Sequence, residues 1–261
     1  MSLQALLFDV DGTVADTERF GHRPAYNKAF QELDLGFRWS ARLYRELLRQ
    51  EGGKERIRYY VDHYQPDLGV HQADYDRHPE AWVRMVHQRK SRHFRNYLQR
   101  GQVPLRPGIA RLLREARRQN LKLALVSNAS RDSIQPLMRY GLGDELSAGF
   151  DLVVTGDDVK HKKPAPEGYE IAMQRLGLRS DDCIALEDSS MGLRAALAAH
   201  LPTVVTVNSN TVGSDFSGAA LVVDNLGEPD RATRVISGTM ESRFVTLETL
   251  QSLLPALQSA A

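Results

Sequence analysis

The stretch ALLFDVDGT (5–13) joins an apolar run to two closely spaced aspartates, and it decides the fold. Residues 5–10 are typical of a buried strand. Asp9 and Asp11 therefore stand at the carboxyl end of a predicted strand, which is the end where open parallel sheets bind ligands. Gly12 follows directly and lets the backbone approach a ligand closely.

Similar apolar runs recur further along the chain. They are LKLALVS (121–127), FDLVVTG (150–156), CIALED (183–188), PTVVTV (202–207) and the shorter LVVD (221–224). Helical patterns separate them, over 108–120, 130–140, 166–177 and 190–200. Strands that alternate with helices predict an α/β fold, a doubly wound parallel sheet with helices on both faces. We expect a terminal helix over 245–257, whereas 225–243 has no readable pattern.

Residues 16–104 break this rhythm. Helix-like patterns cover 24–33, 41–50, 54–63 and 79–100, and no convincing strand pattern separates them. Pro and Gly in VPLRPG (103–108) mark the return to the strand–helix alternation. We therefore expect residues 1–15 and 105–261 to form one α/β core and residues 16–104 to form an inserted helical cap.

Charge is distributed unevenly along the 261 residues. The net charge is only +1, but residues 17–104 hold 17 basic and 11 acidic side chains. Such a segment could bind nucleic acid or draw a small anion towards a site. Its charge run at Arg89, Lys90, Arg92 and Arg95 is predicted to be a solvated helix face. The single cysteine, Cys183, lies in an apolar run, which predicts a buried thiol and a reducing, cytoplasmic setting.

Polar side chains follow four of the predicted strands. They are Asp9 and Asp11, Ser127 and Asn128, Asp157 and Asp158, and Glu187 and Asp188. Because the carboxyl ends of parallel strands share one edge of the sheet, we expect these groups to meet in one crevice. Asp9, Asp11 and Asp188 offer the oxygen ligands that Mg²⁺ prefers.

This set of residues predicts phosphoryl transfer. Asp9 can attack phosphorus as a nucleophile, and Asp11 can protonate the leaving oxygen and then activate water. A lysine would stabilise charge on the transferring group, and both Lys162 and Lys163 are candidates. No apolar run approaches the roughly 18–20 residues that a membrane helix needs.

Four segments resemble the motifs of the haloacid dehalogenase-like phosphatases. They are DVDGT (9–13), VSNAS (126–130), KKPAPEGY (162–169) and LEDSSMGLRAA (186–196). The resemblance implies a Rossmannoid core with a C1-type cap, a catalytic pair of Asp9 and Asp11, and Mg²⁺ as cofactor. It favours Lys163, the lysine next to the proline. The predicted phosphate-binding residues are Gly12, Ser127, Asn128 and Lys163. The predicted metal ligands are Asp9, the Asp11 carbonyl, Asp188 and, directly or through water, Glu187.

The insertion resembles the CbbY branch of this superfamily. The similar segments are DTERFGHRPAYNKAF (16–30), LYRELLRQEGGKERI (43–57) and LRPGI (105–109). Members of that branch remove a phosphate from sugar bisphosphates, notably xylulose-1,5-bisphosphate, which implies a small phosphorylated sugar as the partner of this chain. The substrate-binding residues expected in the cap are Glu18, His22, Gly53, Lys54 and Arg56, with Lys54 and Arg56 on the second phosphate.

Several alternatives remain open at this point. A β-phosphoglucomutase-type enzyme would use the same aspartates but return the phosphate to the sugar, and a phosphatase of broader specificity could act on phosphoglycolate. A phosphonatase would use Lys54 for a Schiff base. We expect a cytoplasmic monomer that binds neither nucleic acid nor membrane. His200 replaces a glycine expected near the end of a helix, so that helix end is expected to be built differently.

Overall fold

The computed structural model describes residues 2–50 and 52–254, and within it the chain divides into two compact units. One unit runs up to Asp16 and resumes at Leu105, and the other is Thr17–Pro104. Each has a buried apolar cluster of its own. Among the residues described, no helix is both long enough and apolar enough to cross a membrane.

The Thr17–Pro104 unit, which we call the cap, is helical. A π-helical turn at Glu18–His22 leads into the first helix. The helices are α1 (Arg23–Glu32), α2 (Ala41–Leu47), α3 (Gly53–Tyr64), α4 (Gln72–Arg77) and α5 (Pro79–Gln99). Four of them fall on the predicted helices. The helix that was not predicted is α4. It has only six residues, too few for an amphipathic period to be visible in the sequence.

Aromatic side chains form the centre of the cap. Trp39 is fully buried, and its ring centroid lies 4.5 Å from that of Tyr26 and 5.0 Å from that of Phe30. The side chain of Asn27 fixes the Trp39 backbone by accepting from its N–H and donating to its carbonyl. Aromatic pairs of this kind contribute roughly 0.5–1.5 kcal/mol each beyond their buried area, so this cluster stabilises the cap independently of the sheet.

The prediction that Lys90 lies on a solvated helix face is wrong. Lys90 is only 7% exposed, whereas Arg92 and Arg95 of the same charge run are exposed. The reason is helical register: Val86 and Phe94 on the buried face of α5 stand one turn before and one turn after Lys90.

The other unit, which we call the core, is built on a seven-stranded sheet. Its strands are β1 (Ala5–Phe8), β2 (Lys122–Val126), β3 (Leu152–Val154), β4 (Cys183–Glu187), β5 (Thr203–Thr206), β6 (Leu221–Val223) and β7 (Val235–Ser237). Their order is β3-β2-β1-β4-β5-β6-β7. The first six strands are parallel and β7 is antiparallel. The predicted α/β fold with a mostly parallel sheet is confirmed.

Strand β1 lies at the switch in strand order. Phe8 pairs with Leu125 of β2 on one side and with Leu186 of β4 on the other. The next residue, Asp9, donates its backbone N–H to Leu186 O. All four residues of β1 are buried, as expected of a central parallel strand covered on both faces. The end of β1 is therefore the position where this type of sheet binds ligands.

Within its described residues, the core has six helices. They are α6 (Ile109–Arg118), α7 (Arg131–Pro136), α8 (Gly143–Ser147), α9 (Glu167–Leu176), α10 (Ser190–Ala198) and α11 (Leu247–Ser252). The predicted helix 130–140 is α7 followed by a π-helical turn at Leu137–Leu142. The predicted terminal helix corresponds to α11, and residues 255–257 lie outside the described part of the chain.

The segment 225–243, which the sequence leaves unreadable, contains the short edge strand β7. The side chain of Arg111 fixes the backbone near both ends of this segment. Its Nη2 donates to the carbonyls of Leu226, Gly227 and Val245 at 2.8–3.1 Å. Such side chain to backbone bonds are not visible as a periodic pattern, which explains why the sequence gives no prediction here.

The expectation that helix α10 ends differently because of His200 is wrong. His200 itself adopts the left-handed conformation, with φ of 60°. Leu201 N–H donates to Ala196 O and His200 N–H to Leu197 O, the bond pair of a Schellman ending. The helix end is the one that glycine usually makes, with a histidine in the strained position.

Candidate active site

The loop after β1 is a tight turn that needs its glycine. Gly12 has φ of 95°, and its N–H donates to Ala15 O. A Cβ at Gly12 would lie 2.2 Å from Asp188 Oδ2. Asp9 is 8% exposed and Asp11 is half-buried. The turn therefore holds both aspartates at the carboxyl end of β1, and it has no room for a side chain between them and Asp188.

Three carboxylates meet at this edge of the sheet. Ligand atoms of Asp9, Glu187 and Asp188 all lie within 4.8 Å of one another, and all three residues are buried. Glu187 ends β4, which pairs directly with β1. The structure thus brings together residues that are nearly 180 positions apart in the sequence.

Lys163 lies among these carboxylates. Its Nζ donates to Asp9 Oδ1 at 2.8 Å, to Glu187 Oε1 at 2.6 Å and to Val126 O at 2.8 Å. Burial alone would lower the pKa of Lys163, but the Asp9 and Glu187 carboxylates outweigh it and raise that pKa. Lys163 is therefore a permanent cation, whereas Lys162 beside it is exposed. Of the two candidate lysines, Lys163 alone contacts the carboxylates.

Burial and mutual repulsion raise the pKa values of the aspartates. The pKa of Asp9 is raised to about 7, chiefly by burial and against the opposing effect of Lys163. Burial, with Asp9 and Glu187 nearby, holds the pKa of Asp188 well above its usual range. Two buried carboxylates next to a third are costly to ionise together without a further positive charge.

The donor set fits a divalent cation. Asp9 Oδ2 is buried and has no hydrogen-bond partner among the described residues. Carboxylate oxygens at this spacing suit a hard cation that keeps part of its water shell. Among the described residues, the group of three carboxylates does not include that of Asp11. This does not test the prediction for Asp11, which names its main-chain carbonyl as the metal ligand.

Ser127 and Asn128 follow β2 as predicted, and their side chains are fixed by the backbone. Ser127 is 6% exposed, and its Oγ accepts from the N–H of Ala129. Asn128 accepts from the Lys163 N–H at 2.8 Å and donates to the Lys163 carbonyl at 3.1 Å. The structure therefore shows Asn128 positioning Lys163.

The acids after β3 do not join the cluster. Asp158 accepts from the N–H and hydroxyl of Thr155 and forms an ion pair with Arg131, while Asp157 accepts from the Arg131 N–H. Both carboxylates stabilise the loop beside α7.

Tyr169 is a site residue for which the sequence suggests no role. It is fully buried, and its hydroxyl donates to Glu187 Oε1 at 2.5 Å. On the other side of Glu187, a Cβ at Gly192 would lie 1.9 Å from Oε2. Glu187 is thus held between Tyr169, Lys163 and the α10 backbone. Tyr169 is the last residue of the segment KKPAPEGY (162–169), and its place in that segment is the sequence feature that could have suggested a role in the site.

Two further residues border the site although neither was predicted as a site residue. Asn208 Nδ2 donates to Asp188 Oδ2 at 2.6 Å. Arg106 is 9% exposed, and its Nη2 donates to Val207 O at 3.0 Å and to Asp224 O at 2.6 Å. Its charge opposes the rise in the Asp188 pKa. Asn208 directly follows the predicted strand 202–207 and Arg106 lies in the segment LRPGI (105–109), but the sequence analysis assigned neither residue to the site.

In the cap, Arg56 and Glu18 are bound within the unit. Arg56 donates from Nε to Leu47 O at 3.1 Å and from Nη2 to Gln50 O at 3.2 Å. Glu18 Oε2 accepts from the Tyr44 hydroxyl at 2.5 Å. Arg56 therefore holds the C-terminal end of α2 against α3, a structural role that the phosphate-binding prediction did not foresee.

The remaining predicted cap residues lie near the first turn of α3 and the turn before α1. Lys54 is exposed, and Gly53 O accepts from the Tyr26 hydroxyl. His22 stacks on Phe94 with ring centroids 4.0 Å apart, and its Nδ1 lies 2.8 Å from Lys90 Nζ. Lys90 also lies over the Tyr26 ring at 5.0 Å. Lys90 is thus a buried cation beside a predicted substrate residue, and the sequence analysis had placed it on the surface.

The model of the haloacid dehalogenase-like hydrolases matches residues 3–200. The match covers most of the chain, and the chain belongs to this family. Together with the carboxylate and lysine site, its relatives identify it as a phosphatase.

Similar proteins include CbbY proteins. A plasmid-borne CbbY of Cupriavidus necator is 42% identical over 227 residues, which cover 87% of each chain. The crystal structure of a mutant CbbY from Rhodobacter sphaeroides in complex with xylulose-(1,5)bisphosphate is 37% identical, with a TM-score of 0.74, over 85% of this chain and 94% of that one. A β-phosphoglucomutase of Clostridium difficile is 25% identical, with a TM-score of 0.64, over 85% of this chain and 91% of that one.

Proposed function

We propose that this chain is a Mg²⁺-dependent sugar bisphosphate phosphatase that converts xylulose-1,5-bisphosphate to xylulose-5-phosphate. The observation that carries the proposal is the hydrogen bonding of the two Asp9 carboxylate oxygens. One of its oxygens accepts from Lys163, and the other is buried without a hydrogen-bond partner among the described residues. The similarity of the chain to CbbY proteins, one of which has a crystal structure with xylulose-(1,5)bisphosphate, supports the choice of substrate.

The reaction begins with attack by Asp9. A carboxylate oxygen of Asp9 bonds to phosphorus while the bond from phosphorus to the sugar oxygen breaks, and Asp11 donates a proton to that oxygen. Asp11 then accepts a proton from water as the water oxygen attacks the phosphorus of the aspartyl phosphate. Inorganic phosphate leaves and Asp9 is regenerated.

Lys163 and the backbone around it prepare this chemistry. Lys163 holds Asp9 and keeps a positive charge where charge develops on the phosphoryl group. Asn128 fixes the Lys163 backbone, and the Ser127 hydroxyl is available to donate to a phosphate oxygen. A Mg²⁺ ion held by Asp9, the Asp11 carbonyl, Glu187 and Asp188 would neutralise the carboxylates and polarise the phosphoryl oxygens.

The cap supplies the groups that we propose for the rest of the substrate. Lys54 is exposed in the first turn of α3, where backbone N–H groups and the helix dipole also favour an anion. We assign the second phosphate to Lys54 and Gly53, and sugar hydroxyls to Glu18 and His22. Arg56 would support this surface by fixing α3 to the end of α2.

The test is a phosphate-release screen on the purified full chain with Mg²⁺. The substrates are xylulose-1,5-bisphosphate, ribulose-1,5-bisphosphate, hexose monophosphates and phosphoglycolate. We expect the highest kcat/KM on xylulose-1,5-bisphosphate and no phosphate release by a folded Asp9→Asn variant. Turnover retained in that variant would sink the proposal. Isomerised sugar phosphate without net phosphate release would instead assign a phosphomutase, the activity of the β-phosphoglucomutase relative.

Cation dependence and the cap assignment need separate measurements. Activity should disappear with a chelator and return with Mg²⁺, and activity that persists with the chelator contradicts the cation requirement. Lys54→Ala should raise KM for the bisphosphate at least tenfold more than KM for monophosphates, because one phosphate contact is lost. Lys28→Ala, another exposed cap lysine, is the matched control. Equal losses on both substrate types would remove Lys54 from the second phosphate.

A further inference from the structure

The turn after β5 is folded around Asn208. Asn208 N–H donates to Thr211 Oγ1 at 3.1 Å, and Asn208 Oδ1 accepts from the Asn210 N–H at 2.8 Å. These two bonds fix the backbone and the amide oxygen of Asn208 within its own turn. Its amide nitrogen is consequently presented in one defined direction.

That direction leads to Asp188. Asn208 Nδ2 donates to Asp188 Oδ2 at 2.6 Å and lies 3.4 Å from Gly12 O. The three residues are in tight contact, because a Cβ at Gly12 would lie 2.2 Å from Asp188 Oδ2 and 2.8 Å from Asn208 Nδ2. The lack of a side chain at position 12 is therefore what allows the amide and the carboxylate to meet.

The contact treats the two oxygens of Asp188 differently. Oδ2 is taken by the amide, whereas the described residues give Oδ1 no hydrogen bond. A carboxylate anchored through one oxygen keeps its other oxygen in a fixed place, and partners that orient metal ligands in this way strengthen metal binding.

We propose that Asn208 is a positioning residue for Asp188: its amide anchors Oδ2 and so holds Oδ1 ready for a divalent cation shared with Asp9 and Glu187. The inference rests on the proposed function, because it needs that cation. The proposal adds to the site a residue from the turn after β5, an element from which no site residue was predicted.

The test measures metal affinity rather than turnover alone. Mn²⁺ is titrated into the metal-free full chain, and the free ion is followed by its electron paramagnetic resonance signal. For Asn208→Ala we expect about tenfold weaker binding, the low end of the effect of losing such a partner. The Mg²⁺ concentration for half-maximal phosphatase activity should rise by a similar factor, while the rate at saturating Mg²⁺ stays near that of the wild type.

Two variants in the same turn separate the amide contact from the shape of the loop. Asn210→Ala leaves the Asn208 amide untouched and should bind Mn²⁺ like the wild type. Thr211→Val removes the acceptor of the Asn208 N–H but keeps the amide, so its Mn²⁺ affinity should fall far less than that of Asn208→Ala.

Each result has a clear reading. Wild-type affinity in Asn208→Ala overturns the role of Asn208 and leaves the proposed phosphatase standing. Equal weakening in Thr211→Val and Asn208→Ala also overturns it, because the loop and not the amide would then matter. Absence of Mn²⁺ and Mg²⁺ binding by the wild type overturns the cation site itself, and the role of Asn208 with it.

Discussion

Each unit of this chain buries a lysine, and the two lysines have different surroundings. In the core, Lys163 is 6% exposed and contacts the carboxylates of Asp9 and Glu187. In the cap, Lys90 is 7% exposed and lies against His22 Nδ1 and the faces of Tyr26 and Phe94. The contacts named here for Lys163 are to opposite charges, and those named for Lys90 are to rings, whose electron-rich faces attract a cation.

The electrostatics of neighbouring groups differ accordingly. In the core, Lys163 opposes the rise in the pKa of Asp9. In the cap, burial and, after it, the cations Lys90 and Lys54 together lower the pKa of His87 to about 4. The core thus brings opposite charges together at one point, whereas in the cap the cations Lys54, Arg56 and Lys90 all act on His87. Such a group of cations suits an anion, in line with the second phosphate of the proposed substrate.

The largest expected effect comes from removing Lys163. Lys163→Met should lower kcat by about a hundredfold to a thousandfold, because a preorganised positive charge is lost from the transferring group. It should also lower the free energy of unfolding by about 3 kcal/mol, because buried carboxylates lose their partner. Phosphate release and denaturant unfolding measure the two effects.

Lys162→Met is the matched control for that experiment. It makes the same change one residue earlier, at an exposed position, and should alter neither quantity. If Lys163→Met kept kcat within tenfold of the wild type, the lysine would have no electrostatic role in the reaction.

The burial of His87 beside the cap cations can be tested through pH. Since the folded pKa of His87 is about 4 and its unfolded value about 6.5, the unfolded chain binds the proton more readily. Stability is therefore retained above pH 6.5 and lost as pH falls from 6.5 to 4, by about 3 kcal/mol for this residue. Urea unfolding of His87→Gln should show a pH dependence that is weaker by that amount. Identical pH dependence in both proteins contradicts the assignment.

Arg56 tests whether a cap cation is structural. Arg56→Lys should lower the free energy of unfolding by about 2 kcal/mol, because an ammonium cannot donate in a fork to Leu47 O and Gln50 O. Arg58→Lys, in the same helix, changes a side chain that is 40% exposed and paired with the carboxylates of Asp62 and Glu80, and it should cost under about 0.5 kcal/mol. Equal losses in the two variants would show that the buried fork adds nothing.

The core was largely predictable because a strand end fixes the position of the residue that follows it. Asp9 and Asp188 stand directly after neighbouring strands, so the apolar runs alone predicted that they would meet. Cys183 was correctly predicted to be a buried thiol, and burial raises its pKa to about 12. Asn208 stands two residues beyond its strand, in a turn whose direction no periodic pattern specifies.

In the cap, prediction depended on helical register, and there it failed for Lys90. Four basic residues among the seven positions 89–95 indicated a solvated face, but Val86 and Phe94 already placed Lys90 on the buried face of the helix. Arg56 was harder, because its acceptors are backbone carbonyls of Leu47 and Gln50, which carry no signal of residue type. Contacts between side chains and the backbone of another segment are specified by the fold and are not readable from composition or spacing.

The smallest expected effect concerns His200, which lies outside both charged regions. It gives the size of a purely backbone effect on the free energy of unfolding, against which the changes above can be compared. His200 ends α10 in the left-handed conformation, which costs a non-glycine residue about 1 kcal/mol. His200→Gly relieves that strain but loses more chain entropy on folding, so the free energy of unfolding should rise by about 0.5 kcal/mol. His200→Ala keeps the strain and should not stabilise the protein. Urea unfolding of both variants decides: stabilisation of Ala to the same extent as Gly would mean that the histidine ring, and not its backbone, is the source of the strain.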